Sequence, residues 1–215
     1  MSRTLYVIGT SGFAKEVGQL AHDINAAGLQ RWHAIEYLAE HESEIGRPMP
    51  FGAVTATDAV LAGLAAEADV AIGIGRPATR RAIAARLRVM PRVGLPNLVH
   101  PQAAVNLAHV RLGVGNVVTR GVVLTCDIEI GDFNVFNLNS TVGHDAVIGS
   151  FNVVNPGCNL SGGITLGDAC LLGTGCQVLE GLRVASESVV GAGAVVTPST
   201  DAAGVYVCVP ARLMT

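Results

Sequence analysis

Histidine and aspartate stand side by side at His144 and Asp145, in the stretch Ser140-Thr141-Val142-Gly143-His144-Asp145. An imidazole titrates near neutrality, which suits it to general-base work. A neighbouring carboxylate can orient the ring and raise its basicity. Adjacent residues of a strand point to opposite faces, but beside a turn they can converge. One further repeat of eighteen residues brings the chain to Ser161-Gly162-Gly163, where a double glycine leaves backbone bare for a ligand and an N–H free to donate. A solvated corner histidine beside a solvated aspartate fits the same letters. A second stretch is Gly9-Thr10-Ser11-Gly12-Phe13. It follows an apolar run at residues 4–8 and precedes an amphipathic pattern over residues 14–25. A strand, a Gly-rich turn and a helix start together offer backbone N–H groups to phosphate. The motif is shorter than the full dinucleotide fingerprint, so a tight turn without a ligand is the other reading. Residues 32–37 read as the next strand, with Glu36 near its carboxyl end. There an acidic side chain meets ribose or base in nucleotide-binding α/β units, or is a plain surface carboxylate.

The elements that must hold these residues are legible from spacing. Stepping by six from Leu112 to Val196 meets fifteen apolar residues with none skipped. Neither a helical nor a strand period gives a strict six, whereas a short strand plus a turn does, and this is the signature of a parallel β-helix. Glycine often follows the apolar position (Gly113, Gly131, Gly143, Gly149, Gly167, Gly173, Gly191), as expected where the backbone turns tightly or takes positive φ. Three hexads make one triangular coil, so residues eighteen apart stack. Asn116, Asn134 and Asn152, Asn137 and Asn155, and Cys158 and Cys176 are expected to form ladders. On this reckoning His144 sits at a coil corner, and His109 lies before the first coil without such a partner.

Ahead of the repeats, residues 69–75 read as another buried strand, residues 56–66 as a helix, and residues 46–51 as a Pro-containing loop. Arg76, Arg80 and Arg81 lie at a helix start, where they can face phosphate or solvent. The expected architecture is an α/β N-terminal domain over residues 1–100, a small Rossmann-like parallel sheet, followed by an all-β solenoid of hexapeptide repeats over 101–215. The end from Gly204 to Arg212 leaves the repeat and is expected to cap the last coil, as a solenoid requires.

Composition narrows the function. A net charge of −3 gives no nucleic-acid or membrane footprint. There is no apolar run of membrane-spanning length and no signal peptide is read, so a cytosolic protein is expected. The five cysteines have no CxxC spacing and read as reduced, small apolar fillers, and no metal site is expected.

The N-terminal strand with G-x-S-G, the hexads with a His-Asp corner, and the Val-Pro-Ala-Arg end together resemble bacterial sugar acetyltransferases of the hexapeptide-repeat class. The nearest kin are the sugar-nucleotide N-acetyltransferases acting on bacillosamine and perosamine precursors, and the sialic acid O-acetyltransferases. The resemblance implies a left-handed β-helix, a cytoplasmic homotrimer and acetyl-CoA in the groove between neighbouring solenoids. It implies acetyl transfer to the amine of a nucleotide-linked 4-amino-4,6-dideoxy sugar, for lipopolysaccharide or other surface glycan synthesis. It makes His144 the base and Asp145 its partner. It sets Ser161, Gly162, Thr174 and Ala192 against CoA, with the Gly162 N–H on the thioester oxygen. Thr10, Ser11, Gly12 and Phe13 then lie under the sugar nucleotide's phosphates and sugar, and Glu36 and Tyr37 at its ribose and base. Relatives often have His where Phe13 stands, which bears on the identity of the sugar. Sugar O-acetylation, a non-catalytic scaffold and a γ-carbonic-anhydrase-like protein are the alternatives. The last needs three His ligands, and Cys126 and Gly162, the coil neighbours of His144, are not imidazoles.

Overall fold

The structure, a computed structural model, describes residues 3–29, 31–209 and 212–213. The chain opens as an α/β unit: β1 (Arg3–Ile8), α1 (Gly12–Ile24), β2 (Trp32–Ala39), β3 (Pro48–Met49), β4 (Gly52–Thr57), β5 (Ala68–Ile72), α2 (Pro77–Leu87) and β6 (Val93–Gly94). The sheet order is β3-β4-β2-β1-β5-β6, parallel except for the short β3–β4 pair. Leu5, Val7 and the apolar stripe Ala14, Val17, Leu20 and Ala21 of α1 bury one sheet face. Ile8, Leu38, Val70 and Ile72 bury the other under Ile83, Ala84 and Leu87 of α2. The expected helix over residues 56–66 does not form. Its first part is β4, which pairs with β2 (Leu38 opposite Ala56, Ala39 opposite Thr57), and Asp58–Gly63 is a short 3-10 turn. Pairing to a waiting sheet edge outweighs the alanine-rich helix propensity. No described helix is long and apolar enough to cross a membrane.

The rest is a left-handed parallel β-helix with three faces. The first face carries the rungs Leu98–Val99, Val117–Val118, Val135–Phe136, Val153–Val154, Leu171–Leu172 and Val189–Val190. The second carries Ala104–Val105, Val123–Leu124, Thr141–Val142, Asn159–Leu160, Gln177–Val178 and Val195–Val196. The third carries Val110–Leu112, Ile128–Ile130, Val147–Ile148, Thr165–Leu166 and Arg183–Val184. Each hexad apolar residue from Val118 to Val196 is the inward member of its rung and fills the solenoid centre. Rungs begin at Leu98, earlier than the strict repeat shows, because a one-residue offset between Val105 and Leu112 breaks the period of six. His109 therefore lies within the first coil, and it meets Asp127 at 3.4 Å.

Left-handed φ recurs every six residues from Gly115 to Gly193, at positions such as Asp127, Asn139, Asp145 and Gly163. These are not the glycines that follow the apolar position. Those glycines serve close approach instead. A Cβ on Gly131 would meet Gly149 O at 2.9 Å, and one on Gly173 would meet Ala192 N at 2.4 Å. Coils stack so closely there that backbone occupies the place of a side chain.

The asparagine ladder forms. The N–H groups of Asn134, Asn152 and Cys170 donate to the Oδ1 atoms of Asn116, Asn134 and Asn152, at 2.8, 2.8 and 2.7 Å. Asn116 in turn donates to Asn97. All three coil asparagines are fully buried. Cys176 and Cys158 stack at 3.5 Å between sulfurs. Asn155 binds Leu172 O rather than Asn137. Cys158, Cys170 and Cys176 are buried as expected, but Cys126 and Cys208 are exposed corner or tail residues. Val205–Val207 adds a rung to the first face and Arg212–Leu213 returns antiparallel to it, forming the cap. Pro210 and Ala211 of the expected terminal motif lie outside the described residues.

Removing Asn134 Oδ1 leaves the Asn152 N–H buried without an acceptor, which costs about 1–3 kcal/mol. Asn134→Ala is expected to lose that much in denaturant unfolding, with a much smaller loss for Asn155→Ala. Equal stability of Asn134→Ala and the parent would show the ladder to be energetically idle.

Candidate active site

His144 lies at the corner between the second and third faces, between the rungs Thr141–Val142 and Val147–Ile148. Asp145 takes the left-handed conformation there (φ 57°), which swings its carboxylate back towards its neighbour. The result is a 2.7 Å contact between His144 Nδ1 and Asp145 Oδ2. A carboxylate only accepts, so Nδ1 carries the proton and Nε2 presents its lone pair. The hydrogen bond and charge of Asp145 raise the imidazole pKa above its ordinary value, and Glu180 adds to this. The His144 side chain is 57% exposed, so the ring stands on an open corner.

The ring lies across Gly162, one coil on. A Cβ there would meet His144 Cε1 and Nε2 at 2.6 Å. Gly162 is thereby buried, and among the described residues its N–H has no acceptor. Gly163 next to it is fixed by donating to His144 O at 2.7 Å. Glycine is required at 162 because the imidazole occupies the place of a side chain. Ser161 precedes it on the same corner. Thr174 and Ala192 lie elsewhere, exposed at the corner between the first and second faces, eighteen residues apart and stacked. One chain therefore does not bring them to His144.

At the carboxyl ends of β1, β2 and β5 lies a cavity of about 450 Å³, lined by Gly9, Thr10, Ser11, Glu40, His41 and Ile74 among others. Gly9 holds φ at 113° to turn the chain. Thr10 donates from Oγ1 to Glu44 at 2.8 Å, and Arg47 clamps the Thr10 carbonyl at 2.7 Å. Ser11 is the residue before α1 and its hydroxyl makes no capping bond, so the helix N–H groups stay open. Gly12 opens α1, and a Cβ there would meet no protein atom within 4 Å. Phe13 does not turn into this cavity. It packs against the core between sheet and solenoid.

Two expected substrate contacts are corrected. Tyr37 is fully buried: its hydroxyl donates to Pro50 O at 2.8 Å, and it fits only because Gly18 of α1 lacks a Cβ. Burial pushes its phenol up to about 12. Glu36 accepts from Thr55 at 2.9 Å on the strand body and does not line the cavity. The sequence reading ended β2 two residues early. The apolar pair Leu38-Ala39 carries the strand on, so Glu40 and His41 stand at its end and line the cavity with Glu44 and Asp58. Arg80 is likewise no phosphate contact. It is wholly buried and donates to the carbonyls of Ile72, Ile74 and Phe133.

Residues 4–87 match the family model described as the PglD N-terminal domain. No curated protein sequence matches the chain. Solved structures match over its full length. A histidine variant of perosamine N-acetyltransferase from Caulobacter crescentus, in complex with CoA and GDP-perosamine, superposes with a TM-score of 0.87 at 27% identity, over 99% of this chain and 97% of that one. The acetyltransferase domain of PglB from Neisseria gonorrhoeae, in complex with acetyl coenzyme A, gives 0.87 at 28% identity, over 100% of both chains. WeeI from Acinetobacter baumannii gives 0.86 at 26% identity, over 99% of this chain and all of that one. The resemblance to hexapeptide-repeat sugar acetyltransferases read from the sequence is thus borne out.

The raised pKa means that His144 holds its proton to higher pH than a free imidazole, and is a neutral base only above that point. In an NMR titration, Asp145→Asn is expected to move the His144 midpoint down in pH. An unchanged midpoint would show that the 2.7 Å contact does not govern the ring.

Proposed function

We propose that the chain is an acetyl-CoA-dependent N-acetyltransferase acting on the amino group of a nucleotide-linked 4-amino-4,6-dideoxy sugar. The observation that carries this reading is the His144 imidazole, aligned by Asp145 and laid against Gly162. An amine attacking a thioester must shed a proton as the C–N bond forms. Nε2 takes it. The C–S bond then breaks, and the imidazolium returns the proton to the departing CoA sulfur. Among the described residues the Gly162 N–H has no acceptor, a state a thioester oxygen would relieve. One such preorganised donor is worth about 3 kcal/mol in the transition state.

The other end of the substrate fits the cavity beside Gly9 to Gly12. Ligands of open parallel α/β sheets bind beyond the carboxyl ends of the strands, and the uncapped start of α1 suits a diphosphate. In this reading the first hundred residues hold the nucleotide and the solenoid performs the transfer. Thr174 and Ala192 belong to a CoA groove whose other wall is the His144 corner of a second chain. That arrangement accounts for their separation on one chain and for the exposure of His144. It calls for a homotrimer, in the cytoplasm where acetyl-CoA is made, supplying a surface glycan such as lipopolysaccharide.

The direct test is a panel of UDP-, GDP- and dTDP-linked amino sugars with acetyl-CoA, read by free thiol release and by the mass of the sugar. Transfer to nitrogen is expected. Transfer only to a hydroxyl would favour a sugar O-acetyltransferase. Absence of transfer to any of them would end this reading. His144→Asn, which cannot take a proton, should lower kcat by about 10²–10⁴ with both ligands still bound, and the acid limb of kcat/KM should vanish. Near-normal kcat would leave proximity as the source of rate. Gly12→Val should raise KM for the sugar nucleotide and spare acetyl-CoA, because the new side chain meets no protein atom within 4 Å yet crowds the open start of α1.

A further inference from the structure

Helix α2 and the residue that caps it join the two parts of the molecule through three arginines, Arg80, Arg81 and Arg88. Arg81 meets Glu187 at 2.9 Å, and Arg88 pairs with Asp132. Arg88 also lies over the rings of Phe133 and Phe151, 5.2 and 5.9 Å from their centroids, and those rings stack at 5.7 Å. Both phenylalanines hold left-handed φ (55° and 64°) at the corner between the third and first faces. A bulky residue there costs on the order of 1 kcal/mol, and here the two rings form the platform on which α2 rests. The two ion pairs are solvent-exposed and hold little on their own.

Arg80 is different. It is fully buried and, among the described residues, pairs with no carboxylate. Its Nε donates to Phe133 O at 3.1 Å, and its Nη1 donates to Ile72 O and Ile74 O at 2.8 and 3.0 Å. Its Nη2 is buried with no partner among the described residues. Burial draws the guanidinium down to about 9, so it remains a cation at neutral pH. Those carbonyls belong to two different machines. Ile74 lines the cavity beyond the end of β5. Phe133 opens the coil that continues through Thr141–Val142 to His144. A rigid planar fork reaches all three carbonyls at once; an ammonium or a neutral side chain of this length does not.

We propose that Arg80 is a positioning residue for acetyl transfer, fixing the wall of the nucleotide cavity against the solenoid coil that carries His144. This rests on the reading of that cavity as the nucleotide end. Misplacement of a bound group by about 1 Å costs on the order of 10²-fold in rate, so the fork acts through geometry and touches no substrate.

Arg80→Met keeps the length and removes every donor; Arg80→Lys keeps the charge and loses the fork. Both are to be assayed well below their melting temperatures. Expected for Arg80→Met is a fall of about a hundredfold in kcat/KM for the sugar nucleotide, with the Kd for CoA within about twofold of the parent and Arg80→Lys between the two. If Arg80→Met does not fold, Arg80→Lys decides by the same split. Parental kcat/KM in the folded variant, with only Tm lowered, would overturn the proposal and leave Arg80 a structural bond. Parallel loss of CoA binding would overturn it too. A parent protein that transfers no acetyl group would instead fail the functional reading, before any variant is compared.

Discussion

The structure depends on how closely one coil of the solenoid lies on the next. Parallel rungs stack about 4.8 Å apart, and at the glycines that follow an inward apolar position, such as Gly131, Gly149 and Gly173, even that leaves no room for a Cβ. Glycine there lets backbone meet backbone. The turn itself is made three residues after the apolar position, where φ is left-handed. A corner thus becomes a fixed place at which a side chain from one coil can be laid on the bare backbone of another. His144 over Gly162 is that event at one corner, and Phe133 with Phe151 under α2 is its structural counterpart at another.

From this follows the division of labour. The solenoid centre is apolar, closed by the inward residues of three faces, and the asparagine ladder gives acceptors to the buried N–H groups of Asn134, Asn152 and Cys170. The proposed chemistry is done outside, on a corner, where the His144 side chain is exposed. The α/β unit supplies the concave part. It covers the first face with α1, whose apolar stripe shares a core with Leu98, Val117, Val135 and Val153. Between its cavity and the His144 corner lies the buried Arg80 guanidinium, which donates to carbonyls on both sides of the joint where the neighbouring ion pairs are exposed.

Much of this was legible before any coordinates. The period of six gave the inward residues, and the spacing of eighteen found the Asn116–Asn134–Asn152 ladder and the Cys158–Cys176 contact but wrongly paired Asn137 with Asn155. His144, Asp145 and Gly162 could be placed on one corner by counting, because a solenoid turns sequence distance directly into space. The α/β unit was harder, since its contacts are long-range. Tyr37 read as a strand-end residue, yet Gly18, nineteen residues earlier on another element, admits it to the core. Arg80 read as a surface cation beside Arg76 and Arg81, and nothing local marked the Phe133 carbonyl it would meet. Residues 56–66 had helical composition, and only the open edge of β2 made part of them a strand. The first coil was missed because one inserted residue broke the period.

In the proposed transfer His144 Nε2 takes the proton of the attacking amine while the Gly162 N–H holds the thioester oxygen. The most direct measurement is a crystal structure of the protein with CoA and its accepted sugar nucleotide. The sugar nitrogen is expected at about 2.6–3.2 Å from Nε2, with the Asp145 contact intact and the CoA thiol sulfur at the same corner. A sugar nitrogen lying out of reach of His144 and within reach of some other base would contradict it.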